Sequence, residues 1–207
     1  MPDIYYCLTQ DQGNSSSERK KLEHLAGLGL LSICLKDLLG FSPNEIRLEY
    51  GRFGKPALPD YPQIHFNISH CRGLVVCAAA SQPIGIDCEG IRNVSEALIR
   101  KVLTETEQEA VFRAPFSNES QNSRFLQFWT LKEAYSKYTG KGITMDFQSF
   151  SFSISDTGLA VCSDPDVACA LIPLQPGYVI SLCCGKSDQP FSLKLHPINS
   201  EDLVPYL

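Results

Sequence analysis

No run of apolar residues in this chain approaches the roughly 20 that a membrane-spanning helix needs, so no membrane partner is expected. The opening stretch "MPDIYYCLTQDQ" lacks a basic region followed by an apolar core, so it does not read as a secretory signal. A cytoplasmic location is the expectation. There is no basic excess either: 18 Lys and Arg stand against 23 Asp and Glu, for a net charge of −5. That argues against a nucleic-acid partner, and any anionic ligand would need a local basic pocket. The nine cysteines show no C-x-x-C spacing. Cys7, Cys34, Cys71, Cys77, Cys88, Cys162, Cys169, Cys183 and Cys184 sit mostly among Val, Ile, Leu and Ala. They read as small buried hydrophobes of a reducing compartment, not as a disulfide framework or a zinc site. Low-complexity segments and short repeats are absent.

What is present is an ordinary globular composition, 43% hydrophobic and 20% charged, over 207 residues. That length allows one large domain or two small ones. "IYYCL" reads as a short strand, and "QDQGNSSS" as a polar loop. From Glu18 to Leu39 the pattern is helical, with Leu28, Leu31, Leu35 and Leu38 in register and Gly40 placed to end it. Gly27 and Gly29 weaken its first half. "EIRLEY" alternates like a strand, and "GRFGKPALPDYPQ" reads as loop. "IHFNISH", "LVVCAAA" and "PIGIDCE" follow as three strands. The second part repeats the order. "NVSEALIRKVL" and "TETEQEAVFRA" predict helices with Ser95 and Thr104 as N-caps. "PFSNESQNS" is loop, and "RFLQFWTLKEAYSKYT" is the clearest helix, ended by "GKG". Five strands close the chain: "FSFSI", "LAVCS", "ACALI", "YVISLCC" and "FSLKLHPI". The expected fold class is α+β, with two similar α+β halves, residues 1–90 and 91–207, packed into one body.

Three carboxylates carry the chemistry. In a strand over "IGIDCEG", alternation sends Ile84, Ile86 and Cys88 toward a core and Gly85, Asp87 and Glu89 the other way. Gly85 then leaves space beside the acids. Carboxylates roughly 7 Å apart on one strand face repel unless solvated or bridged by a cation, and Mg²⁺ suits such hard oxygen donors. A strand end running into a solvated loop also places Asp and Glu this way. On the last helix Phe125, Phe128, Leu131, Tyr135 and Tyr138 form the apolar stripe, while Trp129, Glu133 and Lys137 step by four along its flank. An i,i+4 surface ion pair has that spacing too. The aromatics around Glu133 favour a seam between halves, where ligand sites form. "GKPAL" adds Lys55 and Pro56 in a glycine loop, and "FNISH" adds Ser69 and His70 at a strand end. Three acids for a metal, with two lysines, a serine and a histidine for phosphates, make an inventory for attack on a phosphoanhydride.

"GKPAL", "FNISH", "IGIDCEG" and "FWTLKEAYSKYTGKG" resemble the ordered motifs of the 4′-phosphopantetheinyl transferases, in the monomeric, surfactin-synthetase-activating type. Similarity runs from Glu45 to Tyr178. The resemblance implies a pseudo-dimer of two α+β halves with the active site and coenzyme A in the cleft between them. It implies transfer of the phosphopantetheine arm of coenzyme A, the co-substrate, to a serine of an apo acyl or peptidyl carrier protein, with release of adenosine 3′,5′-bisphosphate. Asp87, Glu89 and Glu133 would hold Mg²⁺, or Mn²⁺ in its place. Glu133 would also be a base for the serine, and Lys137 would contact the pyrophosphate. Lys55, Pro56, Ser69 and His70 would line the nucleotide, with Lys55 near the 3′-phosphate and Pro56 against adenine. Lys132 belongs to the motif without an assigned role. One departure stands out. Larger relatives carry a basic segment at the first long helix, where this chain has only Arg19, Lys20 and Lys21, with His24 near an expected Arg. The 3′-phosphate is then left mainly to Lys55 and His70. Two other functions fit the same residues: a non-catalytic coenzyme A or carrier-protein binder, and a metal-dependent nucleotide phosphodiesterase.

Overall fold

A computed structural model describes residues 2–9, 15–42, 45–114, 120–187 and 192–206. Parts of the two polar loops expected near residues 10–17 and 115–123 lie outside the described residues.

Strand β1 (Asp3–Leu8) leads to helix α1 (Ser16–Leu39). A reciprocal capping box starts this helix: Ser15 Oγ accepts from Glu18 N–H at 3.3 Å, and Glu18 Oε2 accepts from Ser15 N–H at 2.9 Å. Gly40, at φ 76°, ends it in the left-handed conformation that glycine adopts without steric cost. The expected strand over "EIRLEY" is shorter than its alternation suggests. Only β2 (Glu49–Tyr50) pairs, antiparallel to β3 (Pro56–Ala57), inside the stretch expected to be all loop. The partner segment offers little more, because Pro56 has no N–H and Pro59 follows two residues after Ala57.

Strands β4 (His65–Cys71), β5 (Leu74–Ala80) and β6 (Ile84–Gly90) follow as expected. Helices α2 (Glu96–Val102) and α3 (Glu105–Arg113) start at the side-chain caps Ser95 and Thr104. Helix α4 (Gln121–Thr139) stops at Gly140, φ 70°. Short strands β7 (Phe152–Ile154) and β8 (Ala160–Cys162) pair with each other. The last strands are β9 (Val167–Leu171), β10 (Tyr178–Gly185) and β11 (Lys194–Pro197).

One sheet has the order β11-β1-β5-β4 and the other β6-β10-β9. Strand β6 thus leaves the β4–β5 hairpin to pair with β10, and β11 returns to run parallel with β1. Alternation along each strand builds the layers. On β5, Val75, Cys77 and Ala79 pack against α1 with Tyr5, Leu30, Leu31 and Phe66. Leu74, Val76 and Ala78 pack instead against Ile84, Ile86, Cys88, Ile180 and Leu182 of the second sheet. The opposite face of β10, Val179 and Cys183, packs on Phe125, Phe128, Leu131 and Ala134 of α4. The layers therefore run α1, first sheet, second sheet, α4. All nine cysteines are free; seven are buried, and Cys71 and Cys169 are half-buried. Among the described residues no helix is long and apolar enough to cross a membrane.

Candidate active site

Strand β6 presents the faces its sequence predicts. Ile84, Ile86 and Cys88 enter the inter-sheet core. Gly85, however, leaves no space beside the acids. A Cβ there would stand 2.1 Å from the Ala134 carbonyl oxygen and 2.3 Å from the Tyr138 nitrogen. Glycine is what lets the backbone of α4 lie directly on β6, and that contact brings the helix edge carrying Glu133 and Lys137 to the carboxylate face of the strand.

Asp87 is 7% exposed, beside Ser181 in the β6–β10 register. Its Oδ1 accepts from Lys137 Nζ at 2.7 Å and from Ser69 Oγ at 2.8 Å. Lys137 Nζ also donates to Ser69 Oγ at 2.9 Å and to the Ile86 carbonyl at 3.1 Å. One residue earlier on β6, the Ile86 N–H donates to Asn67 Oδ1 at 2.9 Å. Asn67 and Ser69 thus tie β4 to β6 through side chains where the two strands share no ladder. Glu89 lies nearer the surface and meets Arg92 Nε at 3.6 Å. Glu133 is half-buried. Desolvation pushes its pKa up, the Asp87 and Glu89 charges push the same way, and Lys137 opposes them. Asp87, Glu89, Glu133, Lys137 and Ser69 are therefore brought together.

The rest of the expected set is placed differently. Lys55 Nζ spends its three donors on the carbonyl oxygens of Ile84 at 2.9 Å, Lys137 at 2.6 Å and Tyr138 at 3.1 Å. It closes the C-terminal end of α4, where an ammonium complements the exposed carbonyls, and burial lowers its pKa to about 8. Pro56, next to it, is half-buried in the β2–β3 pair. His70 is the neighbour of Ser69 on β4 but lies on the opposite face, toward α1. Its Nδ1 meets Glu23 Oε2 at 3.0 Å.

Two residues beyond the expected set hold the site in place. Lys132 is fully buried and donates to the carbonyls of Phe147 at 2.6 Å and Phe150 at 2.8 Å. It also pairs with Glu107 at 3.0 Å, both side chains 0% exposed. Glu107 in turn accepts from the N–H of Thr104 at 2.8 Å and of Phe152 at 2.9 Å. Desolvation lowers the Lys132 pKa while Glu107 raises it. The pair fastens α3 and the start of β7 to α4, one residue from Glu133. The sequence signal was the Thr104-x-x-Glu107 capping box, whose carboxylate has an oxygen to spare. The second addition is Thr130, whose Oγ1 stands 2.6 Å from Ser181 Oγ and anchors α4 to β10.

Among the described residues no three His, Cys, Asp or Glu side chains form a preformed metal cage. The donor set still suits a hard divalent cation. Desolvation and the Asp87 and Glu89 charges, which raise the Glu133 pKa, are what a divalent charge offsets, and Mg²⁺ usually keeps several waters, so its carboxylates need not close into a full cage.

Comparison with known proteins gives the family. Residues 83–183, which hold Asp87, Glu89, Glu133 and Lys137, match the model of the 4′-phosphopantetheinyl transferase superfamily. The chain is 32% identical over 165 residues to the 4′-phosphopantetheinyl transferase Sfp of Bacillus subtilis, covering 78% of this chain and 72% of that one. It is 32% identical over 165 residues to the enzyme gsp of Aneurinibacillus migulanus, covering 78% and 68%. It is 37% identical over 124 residues to HetI of a Nostoc species, covering 57% and 52%. A more distant likeness is to the solved holo-[acyl-carrier-protein] synthase of Thermotoga maritima, with TM-score 0.42, 20% identity, and 52% of this chain and 64% of that one covered. The chain belongs to the 4′-phosphopantetheinyl transferases. Within them it is of the Sfp type.

Proposed function

We propose that the chain moves the 4′-phosphopantetheine arm of coenzyme A to a serine hydroxyl of an apo acyl or peptidyl carrier protein, releasing adenosine 3′,5′-bisphosphate. The observation that carries this reading is Glu133, a half-buried carboxyl with a raised pKa facing Asp87 and Glu89 beside the Lys137 ammonium.

In this reading Asp87, Glu89 and Glu133 would hold Mg²⁺, or Mn²⁺ in its place. When bound, the ion supplies Lewis-acid neutralisation of the pyrophosphate charge. Glu133 takes the serine proton, directly or through a water. The serine oxygen bonds to the β-phosphorus, and the bond from that phosphorus to the bridging oxygen breaks. The departing group is already a stabilised phosphate, so it needs little acid catalysis. Lys137 leaves Asp87 for the pyrophosphate and offsets the growing charge. Pro56, Ser69 and His70 face the nucleotide, and Lys55 supports it by fixing the end of α4. Coenzyme A lies in the cleft between two halves, 1–90 and 91–207, arranged as a pseudo-dimer. Support for that placement comes from the site's make-up: β6 and Ser69 come from the first half, α4 and β10 from the second. The enzyme works as a monomer in the cytoplasm.

Incubation with Mg²⁺, coenzyme A and a panel of apo-carriers, read by intact mass, tests the reading. The expected result is a mass gain equal to one phosphopantetheine arm on at least one carrier. Coenzyme A hydrolysis with every carrier unmodified would replace it with a phosphodiesterase, and coenzyme A binding without turnover with a binding protein.

A further inference from the structure

Beside Asp87, on the neighbouring strand, lies a buried hydroxyl that does not bond to it. Strand β10 runs antiparallel to β6 with Ser181 in register with Asp87. Register partners present their side chains to one face of a sheet, with Cβ atoms about 4.5–5.5 Å apart. On β10 that face carries Val179 and Cys183 onto α4, so Ser181 is enclosed between the helix and the carboxylate strand. It is 0% exposed. Its contact on the helix is Thr130 Oγ1 at 2.6 Å. Thr130 is also 0% exposed, and it lies three residues before Glu133, adjacent on the helix surface.

The other contacts of Thr130 fix which hydroxyl donates. Its Oγ1 stands 2.8 Å from the Leu126 carbonyl and 3.2 Å from the Gln127 carbonyl. A carbonyl only accepts, so the single Thr130 proton turns back onto its own helix. At 2.6 Å Ser181 is then the donor, and its only proton goes to Thr130 Oγ1. None is left for its strand neighbour. Asp87 takes its donors from elsewhere, Lys137 Nζ and Ser69 Oγ, both on Oδ1. A further hydroxyl donated to this carboxylate would be a charge-assisted hydrogen bond, which a cation would have to displace or share.

We infer that Thr130 is a positioning residue of the transfer site: by taking the Ser181 proton it keeps that hydroxyl off Asp87 and leaves the carboxylate to a divalent cation. This rests on Asp87 holding the cation, as in the transfer reading above.

The test is a Mn²⁺ titration of the protein with coenzyme A, against a coenzyme A blank, read by the electron paramagnetic resonance signal of free Mn²⁺. It gives a Kd for the ion without turnover. Thr130→Val keeps the outline of the side chain and removes the acceptor, so the Ser181 proton turns to Asp87. The Mn²⁺ Kd should rise about tenfold, the equivalent of one hydrogen bond to a charged group. Adding Ser181→Ala removes the freed hydroxyl and should return the Kd to within about threefold of wild type. Thr130→Ser, which keeps the acceptor, and Ser181→Ala alone should stay in that range as well. A hydroxyl pair that only ties α4 to β10 gives the opposite pattern: Ser181→Ala weakens Mn²⁺ as much as Thr130→Val does, and the double variant recovers nothing. Either of those results overturns the inference. Should Thr130→Val fail to fold, Thr130→Ala carries the same comparison, and a loss of about tenfold in Ser181→Ala alone still overturns it. An Asp87→Asn protein with an unmoved Mn²⁺ Kd places the cation elsewhere and overturns it too. A wild type that binds Mn²⁺ through Asp87 but modifies no carrier ends the transfer reading alone, and the Kd pattern then decides the role of Thr130.

Discussion

Lys137 Nζ stands 2.7 Å from Asp87 Oδ1, so the lysine expected to meet a pyrophosphate is the counter-ion of a buried carboxylate. Ser69 bonds both partners. Lys137→Met leaves Asp87 with Ser69 alone at a position 7% exposed. The expected loss is about 1–3 kcal/mol in urea unfolding. It should be largely recovered in the double variant Lys137→Met/Asp87→Leu, which removes both charges. Equal loss in single and double variants would show that the pair contributes nothing.

Glu133 gives a sign that separates catalysis from stability. Its folded pKa lies above the ordinary carboxyl value because of desolvation, then Asp87 and Glu89. Between the unfolded and folded values the native state binds more protons, so stability falls as pH rises through that window. Glu133→Gln cannot ionise and avoids this loss. It should be at least as stable as wild type at pH 8, and the difference should close at acid pH. Thermal unfolding across the pH range checks this, and a variant that is less stable only at high pH would contradict it.

Lys132 and Glu107 invite a double-mutant cycle. Removing either alone leaves the other charge fully buried, at an expected cost of about 3–5 kcal/mol. The cost of Lys132→Met together with Glu107→Leu should fall well short of the sum of the singles. Additive losses would mean that the two side chains are independent, despite the 3.0 Å contact.

For Lys55 the window is alkaline. Its folded pKa of about 8 lies below the ordinary 10.5. Between those values the unfolded chain binds more protons, so the Lys55 contribution to stability rises with pH. In Lys55→Met that rise should vanish, and affinity for coenzyme A and its 3′-dephospho form should fall equally. A selective loss for coenzyme A would return Lys55 to the 3′-phosphate.

Much of this site was legible because it obeys local periodicity. The alternation of "IGIDCEG" separated Ile84, Ile86 and Cys88 from Asp87 before any fold was known, and the four-residue step set Glu133 and Lys137 on one helix edge. Caps Ser95 and Thr104 and stops Gly40 and Gly140 announced themselves by residue type, while Ser15 and Ser120 cap helices inside stretches that read as loop. What local pattern does not carry is partner choice. Lys55 meets carbonyls 29 and 82 residues away, and no motif encodes that. The same holds for Glu107 with Lys132. Ser69 and His70 are a different case: adjacent strand residues point to opposite faces, so Ser69 meets Asp87 while His70 meets Glu23, and strand alternation already carried that split. Gly85 was noticed for the right reason, the missing side chain, but α4 fills the space that glycine vacates.

The most direct test of the transfer site is turnover of Glu133→Gln, followed by intact mass of an apo-carrier that the wild type modifies. With its unfolding temperature at or above that of wild type, the variant should modify the carrier about 10²–10⁴-fold more slowly, the range of a lost general base. A folded Glu133→Gln protein working within about threefold of wild type would remove Glu133 from the chemistry and the account with it.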